Sequence, residues 1–379
     1  MHTQRLFLII LLLLAGISCK QDYLPPVLQS NPGYLVVEGV INTAPGSTTT
    51  FQLSRTQGIG DSVGTYTPEK SAQVSILDNN GASWVLHNSG NGTYTSDPLS
   101  PNPTQKYRIK IVTSNGTQYI SDTVSVHNTP PIDSLTWNQD DSLGDVHIYA
   151  NAHDPANNSH YYRWFFSETW EYRSTFYSEL VLINNRIEYA DTNTSTYTCW
   201  RGDESKAIVL ASTTALSQDR VNQAEIALVP RGSQKLSSRY SMLATQYVLS
   251  ADAYKYWQIM QRNTQNLGSL FDPQPTQLHG NYRCVTHPNE PVIGYLSASP
   301  LQQLRLFISN NQVNNWDTSH LDCPVINFYQ DPNDFHIYHY NDTLYGPWYF
   351  TTGGGLVLTK RTCIDCRLQG GTTQRPSFW

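Results

Sequence analysis

Ala72-Gln73-Val74-Ser75-Ile76-Leu77-Asp78-Asn79-Asn80-Gly81-Ala82-Ser83-Trp84-Val85-Leu86 is the stretch whose reading decides the fold. Ala72, Val74 and Ile76 alternate with Gln73 and Ser75, the period of two that sends successive side chains to opposite faces of a strand. Asp78, Asn79, Asn80 and Gly81 then reverse the chain, because Asn-Gly accepts the positive φ angles that tight hairpin turns require, and Trp84 and Leu86 begin the return strand. The pattern extends both ways. Leu35, Val37, Val40 and Ile41 open it, Phe51 and Leu53 continue it, and beyond the hairpin Tyr107, Ile109 and Ile111 lead through Ser114-Asn115-Gly116 into a further run over 119–126. Short strands spaced about ten residues apart predict an immunoglobulin-like β-sandwich over 33–128.

Thr129-Pro130-Pro131 interrupts this pattern, since two consecutive prolines cannot donate to a sheet ladder and hold the chain extended. A boundary is therefore expected there, with a larger β-rich domain over 132–379. Strands are predicted over 132–137, 146–152 and 161–168, with Trp137, Tyr149, Tyr162, Trp164 and Phe166 as core rings. Between 168 and 229 the periodicity is mixed and points to no particular element. Residues 239–249 alternate again. Ser250 then caps one prominent helix over 251–266, closed by Gly268, with Ala253, Tyr256, Trp257 and Met260 on its apolar face and Leu267 in line with them. Later strands are expected over 292–298, 304–308 and 355–358, before a cysteine-bearing tail. The fold class is thus mainly β: a sandwich followed by a larger β-rich domain with one prominent helix.

Residues 1–18 read as a lipoprotein signal peptide. Arg5 precedes an apolar run over 6–14, well short of the roughly 20 residues that a membrane-spanning helix needs. Ala15, Gly16, Ile17 and Ser18 lead into Cys19, the thiol that a bacterial lipobox presents for acylation, although Gly16 stands where such boxes usually have leucine. Residues 19–32, containing Pro25-Pro26, read as an extended tether. No later segment approaches spanning length without charges.

Composition narrows the function. Of 379 residues only 14% are charged, Tyr is abundant at 24 and Met scarce at 3. The net charge of -6 and the lack of a Lys/Arg cluster argue against nucleic acid, which demands a concentrated basic face. Of the six cysteines, acylation of Cys19 would leave Cys199, Cys284, Cys323, Cys363 and Cys366, an odd number with about fifteen possible two-bridge pairings. In an exported chain Cys363-Ile364-Asp365-Cys366 is disulfide material, stapling the tail to the body through Cys284 or Cys323 or closing on itself, so Cys284, Cys323, Cys363 and Cys366 are the bridge candidates.

Catalytic and metal signals are weak. His336 and His339, with Asp331, Asp334 and Asp342 nearby, sit three apart, a spacing that sends strand side chains to opposite faces, so no metal site is assigned. Arg201-Gly202-Asp203 is given no role. Gly353-Gly354-Gly355 lacks the Lys-Ser/Thr of a phosphate cradle, and no nucleophile elbow or dinucleotide fingerprint occurs. No catalytic residue and no cofactor is expected.

Ser269-Leu270-Phe271-Asp272-Pro273-Gln274-Pro275 with Gly280 and Asn281, the opening Leu35-Val36-Val37-Glu38-Gly39-Val40-Ile41, Gln246 to Leu249, and the tail from Cys363 through Gly370, Gly371 and Thr372 to Pro376-Ser377-Phe378-Trp379 together resemble the DUF4249 family of Bacteroidetes lipoproteins. The resemblance implies an outer-membrane lipoprotein paired with a TonB-dependent transporter, serving as a substrate-capture or lid partner on the cell surface. A tail motif that ends on Trp379 also implies a packed C-terminal element. A structural or adhesive surface protein is the alternative, and a hydrolase the weakest reading. Replacing Cys19 by serine is expected to shift the protein from the membrane to the soluble fraction and to abolish acyl mass on its mature N-terminus. Unchanged membrane partitioning of C19S would refute the anchor.

Overall fold

The computed structural model describes residues 33–57, 67–183, 186–265, 279–318, 321–328 and 344–379. The expected signal peptide, Cys19 and the whole expected tether over 19–32 lie outside them, as do Gly268, Leu267, 269–275, His336, His339 and their neighbouring aspartates. Among the described residues no helix is long and apolar enough to cross a membrane.

The first unit is built from β1 (Leu35–Gly39), β2 (Ile41–Asn42), β3 (Thr50–Arg55), β4 (Thr67–Pro68), β5 (Gln73–Asp78), β6 (Ser83–Gly90), β7 (Thr93–Ser96), β8 (Lys106–Val112), β9 (Gln118–Ser121) and β10 (Val124–Ser125). Its main sheet runs β1-β3-β7-β6-β5-β8-β9, and the inward residues Leu35, Phe51, Leu53, Val74, Ile76, Ile109 and Ile111 share one core. The deciding hairpin joins β5 to β6 where expected, with Leu77 opposite Ser83. Its turn differs in kind. Only Gly81 takes a positive φ, and Asp78 Oδ1 accepts from the N–H groups of Asn80 and Ala82, so an aspartate side chain holds the reversal that a two-residue primed turn would otherwise make.

The second unit begins with β11 (Ile132–Gln139) and β12 (Val146–His153). Next come β13 (Tyr161–Arg173), the hairpin β14 (Leu180–Ile183) with β15 (Arg186–Tyr189), β16 (Thr198–Glu204), β17 (Val209–Ser212), β18 (Arg220–Val229) and β19 (Arg239–Val248). Sheet β11-β12-β18 packs on sheet β16-β13-β19, with Val146, Ile148 and Ala150 meeting Tyr162, Trp164, Met242 and Ala244 in one core. The stretch with no predicted element thus supplies three strands to these two sheets. β13 runs five residues past the expected end at Glu168, because a carboxylate in an inward position breaks the apolar alternation without breaking the strand. Glu168 is 6% exposed; it accepts from Tyr240 Oη at 2.5 Å and pairs with Lys235 Nζ. A buried charge persists in a core only when it is paired and hydrogen-bonded in this way.

Helix α1 (Ala251–Gln265) follows β19, capped by Ser250 Oγ, which accepts from the N–H of Ala253 at 3.1 Å. Ala253, Tyr256 and Trp257 are buried on its predicted face, with Met260 packed beside them, against the outer side of β13 and β19.

A boundary at 129–131 with a single contiguous domain beyond it is corrected by the chain's return. After α1, β20 (Tyr282–Cys284) adds to β9 in the first sheet and β21 (Ala298–Ser299) pairs in parallel with β2. Val292, Leu296 and Ala298 join the first core. The strand expected over 292–298 is instead a series of single contacts, such as Val37 N–H to Ile293 O at 2.8 Å and Ile41 N–H to Ser297 O at 2.9 Å. Close backbone approach explains the irregularity: a Cβ at Gly294, whose φ is +142°, would lie 2.3 Å from Val37 O, and one at Gly280 1.9 Å from Gly294 O. β22 (Gln302–Ser309) then rejoins the second unit beside β19.

The final segment forms a small sheet, β23 (Val325–Phe328), β25 (Leu356–Lys360) and β24 (Tyr345–Phe350), followed by the short helix α2 (Arg361–Ile364). Two disulfides fasten it, Cys323–Cys363 and Cys199–Cys366. The bridge candidates are corrected accordingly: Cys199 is bridged, and Cys284 is a buried free thiol. β20 places Cys284 in the first unit, away from the tail, whereas β16 carries Cys199 to Cys366 in the second core. Trp379 packs edge-on against Trp200 and Phe307, and its indole N–H donates to Glu171 Oε2 at 3.1 Å. The tail is thus a packed element. Cys199–Cys366 closes a separation of 167 residues. Replacing both cysteines by alanine is expected to lower unfolding free energy by about 2–5 kcal/mol, read by denaturant titration. An unchanged midpoint would contradict the staple.

Candidate functional site

A cleft of about 1100 Å³ opens between the two units. Glu38, Asn42, Thr50 and Gln52 line it from the first, and Arg163, Phe165, Glu204, Tyr247 and Gln303 from the second. The local sequence dictates this division. On β13 the inward row is Tyr162, Trp164 and Phe166, so Arg163 and Phe165 necessarily face the other way, toward α1 and the cleft.

Arg163 is the only cation among the described lining residues. Its guanidinium lies 3.4 Å from the centroid of the Trp257 ring, and Nη1 donates to Tyr247 Oη at 2.6 Å. Its Nε is buried and has no hydrogen-bond partner. A desolvated guanidinium on an indole face is strongly held, by about 2 kcal/mol or more, so the fork is pre-aimed. Burial pushes the Tyr247 phenol above its ordinary value, and the adjacent Arg163 pulls it partly back. Burial likewise raises Tyr256 to about 12, against the N–H of Gly294 that donates to its oxygen at 2.8 Å. Both phenols therefore stay protonated at neutral pH. Tyr256 thereby links α1 to the returning segment, and Val40 of the first unit joins the same apolar cluster as Trp257 and Tyr247. The cleft floor is rigid aromatic packing, while its first-unit wall is mainly hydroxyl and amide groups. Such a pairing of apolar surface with a few convergent polar groups suits a small polar ligand.

Among the described residues, none of those that the sequence singled out as chemical candidates lines the cleft. Cys323, Cys363 and Cys366 are structural bridges. Arg201 of the Arg-Gly-Asp tripeptide lies over the Trp170 ring and donates to Gln369 O at 3.3 Å. The signal that could have found the cleft is Arg163 itself, a cation amid the aromatic run Tyr161-Tyr162-Arg163-Trp164-Phe165-Phe166.

Fold and cleft together define a mainly β protein of two packed sandwich units with a disulfide-fastened tail. The chain belongs to the DUF4249 family, described as a domain of unknown function, whose sequence model matches residues 20–305. No curated protein matches it in sequence. Among solved structures it is similar to Escherichia coli alpha-2-macroglobulin activated by porcine elastase, at 14% identity and a TM-score of 0.19, covering 57% of this chain and 18% of that one. A two-domain fibronectin type III segment of chicken tenascin is similar at 11% identity and a TM-score of 0.15, covering 57% and 90%. The chain spans less than a fifth of the macroglobulin's length. At these scores neither likeness carries an argument.

Replacing Tyr247 by phenylalanine removes the acceptor of Arg163 and leaves the rings in place. It is expected to lower unfolding free energy by roughly 1.5–3 kcal/mol, the range for a hydrogen bond to a charged group, measured by chemical denaturation. A neutral effect would mean that Arg163 is held by Trp257 alone.

Proposed function

We propose that this protein is a non-enzymatic, lipid-anchored surface protein of the outer membrane that captures a ligand in the inter-unit cleft as the partner or lid of a TonB-dependent transporter. The observation that carries the reading is the cleft, whose volume of about 1100 Å³ stands at the upper end of small-molecule sites and whose walls come from two separate β units. Hydroxyl, amide and aromatic linings hold a polar ligand by many modest contacts, and Arg163 adds one directed cation. Cys19 supplies the anchor and 19–32 the reach away from the lipid surface. Family resemblance supplies the transporter as partner.

Purification from gently solubilised outer membranes is expected to bring down a β-barrel of the TonB-dependent class, identified by mass spectrometry, and C19S is expected to weaken that recovery. Isolation as a lone monomer in several mild detergents would overturn the proposal.

A further inference from the structure

We infer that Cys284, His287 and Glu290 form a zinc-binding site at the edge of the first sheet. The reasoning starts from Cys284-Val285-Thr286-His287-Pro288-Asn289-Glu290. β20 ends on Cys284, opposite Tyr119 of β9, and the chain then turns sharply enough for the His287 N–H to donate to Cys284 Sγ at 3.2 Å and the Glu290 N–H to His287 O at 2.9 Å. Each residue thereby offers one donor atom, and the three lie within 4.8 Å of one another.

The donor set selects the ion. Thiolate, imidazole and carboxylate together are the ligands of zinc, whereas calcium and magnesium take oxygen alone. A tetrahedral ion bound at roughly 2.0–2.3 Å separates its donors by roughly 3.3–3.8 Å, so about an ångström of side-chain adjustment closes the site. His287 can make that adjustment, being 62% exposed in its side chain, while the thiol at 2% exposure is fixed. Three protein ligands leave the fourth position to water.

The surroundings hold the ligands in place. Tyr119 Oη donates to Glu290 Oε1 at 2.7 Å, the kind of supporting contact that orients a metal-binding carboxylate. Arg55 lies 3.8 Å from the same oxygen, but its Nε and Nη2 donate to Glu69 Oε2 at 2.9 and 2.8 Å, so its charge is directed mainly elsewhere. Below the turn, the Val285 N–H donates to Gln118 O at 2.7 Å and Thr286 Oγ1 accepts from the Gln118 N–H at 2.9 Å, fixing the backbone that carries all three residues. Cys284 is also the one free thiol among the described cysteines, the other four being bridged.

The test loads the full chain with cobalt(II) as a spectroscopic stand-in and titrates it with zinc. One equivalent bound, with a thiolate-to-cobalt charge-transfer band, is expected. His287→Ala, at an exposed position, should weaken binding at least about tenfold with circular dichroism unchanged, and Cys284→Ser should abolish the band. Should C284S fail to fold, H287A and Glu290→Gln decide. The inference is overturned if no thiolate band forms, if H287A and E290Q bind as the parent does, or if the band is lost on changing His336 and His339 instead.

Discussion

β13 is the constraint on which the second unit, the cleft and the link between units all depend. It has neighbours on both edges, β16 and β17 on one side and β19 on the other, and its inward face is buried in the second core. A strand paired on both sides must also meet each side chain of its buried inward row by packing or by hydrogen bonding. Its inward row satisfies five positions with aromatic rings and the sixth, Glu168, with an ammonium and a phenol. The outer row presents Arg163 to Trp257 and Tyr247. The cleft's directed cation is thus set by the register of the central strand rather than by a loop.

That origin distinguishes the cleft from a loop-built site. Its second-unit wall rests on a sheet with a buried core, its first-unit wall combines strand residues with the loop over 44–48, and its floor is the apolar cluster in which α1, β19 and Val40 of the first unit meet. Side chains fixed by packing lose little further freedom on binding, so a ligand held there is recognised by a preformed surface. The turn exposed over 285–289 sits on a similarly rigid base, the sheet edge at which Cys284 joins the first core.

The first unit was legible because its strands are short, alternate strictly and end in Asn, Asp and Gly, signals that act within a few residues. α1 was legible through Ser250 and the spacing of Ala253, Tyr256 and Trp257. What escaped is long-range or polar. Glu168 ended the apparent strand early because its partners Lys235 and Tyr240 stand some seventy positions away. Nothing local marks Cys199 as the partner of Cys366, or 281–299 as belonging to the first sheet; only the tertiary fold brings them there. The anchor expected at Cys19 and the histidines near 336 fall on residues outside those described. The cleft was invisible in the pattern because Arg163, alone among aromatics, carries no spacing motif.

The returning segment also bears on how such a chain can be rearranged by recombination. Pro130-Pro131 looks like a natural seam, yet a cassette cut there would lack β20 and the 292–299 crossing, leaving β9 with an unpaired edge and the core around Leu35 uncovered. Exposed strand edges of that kind invite pairing with other chains. The hydrogen bond from Gln118 to Thr286 spans 168 positions, so the first unit is not an exchangeable module. Insertions are better tolerated at hairpin tips such as Asn79-Asn80-Gly81, whereas exchange of whole units would have to carry two separate stretches of gene together.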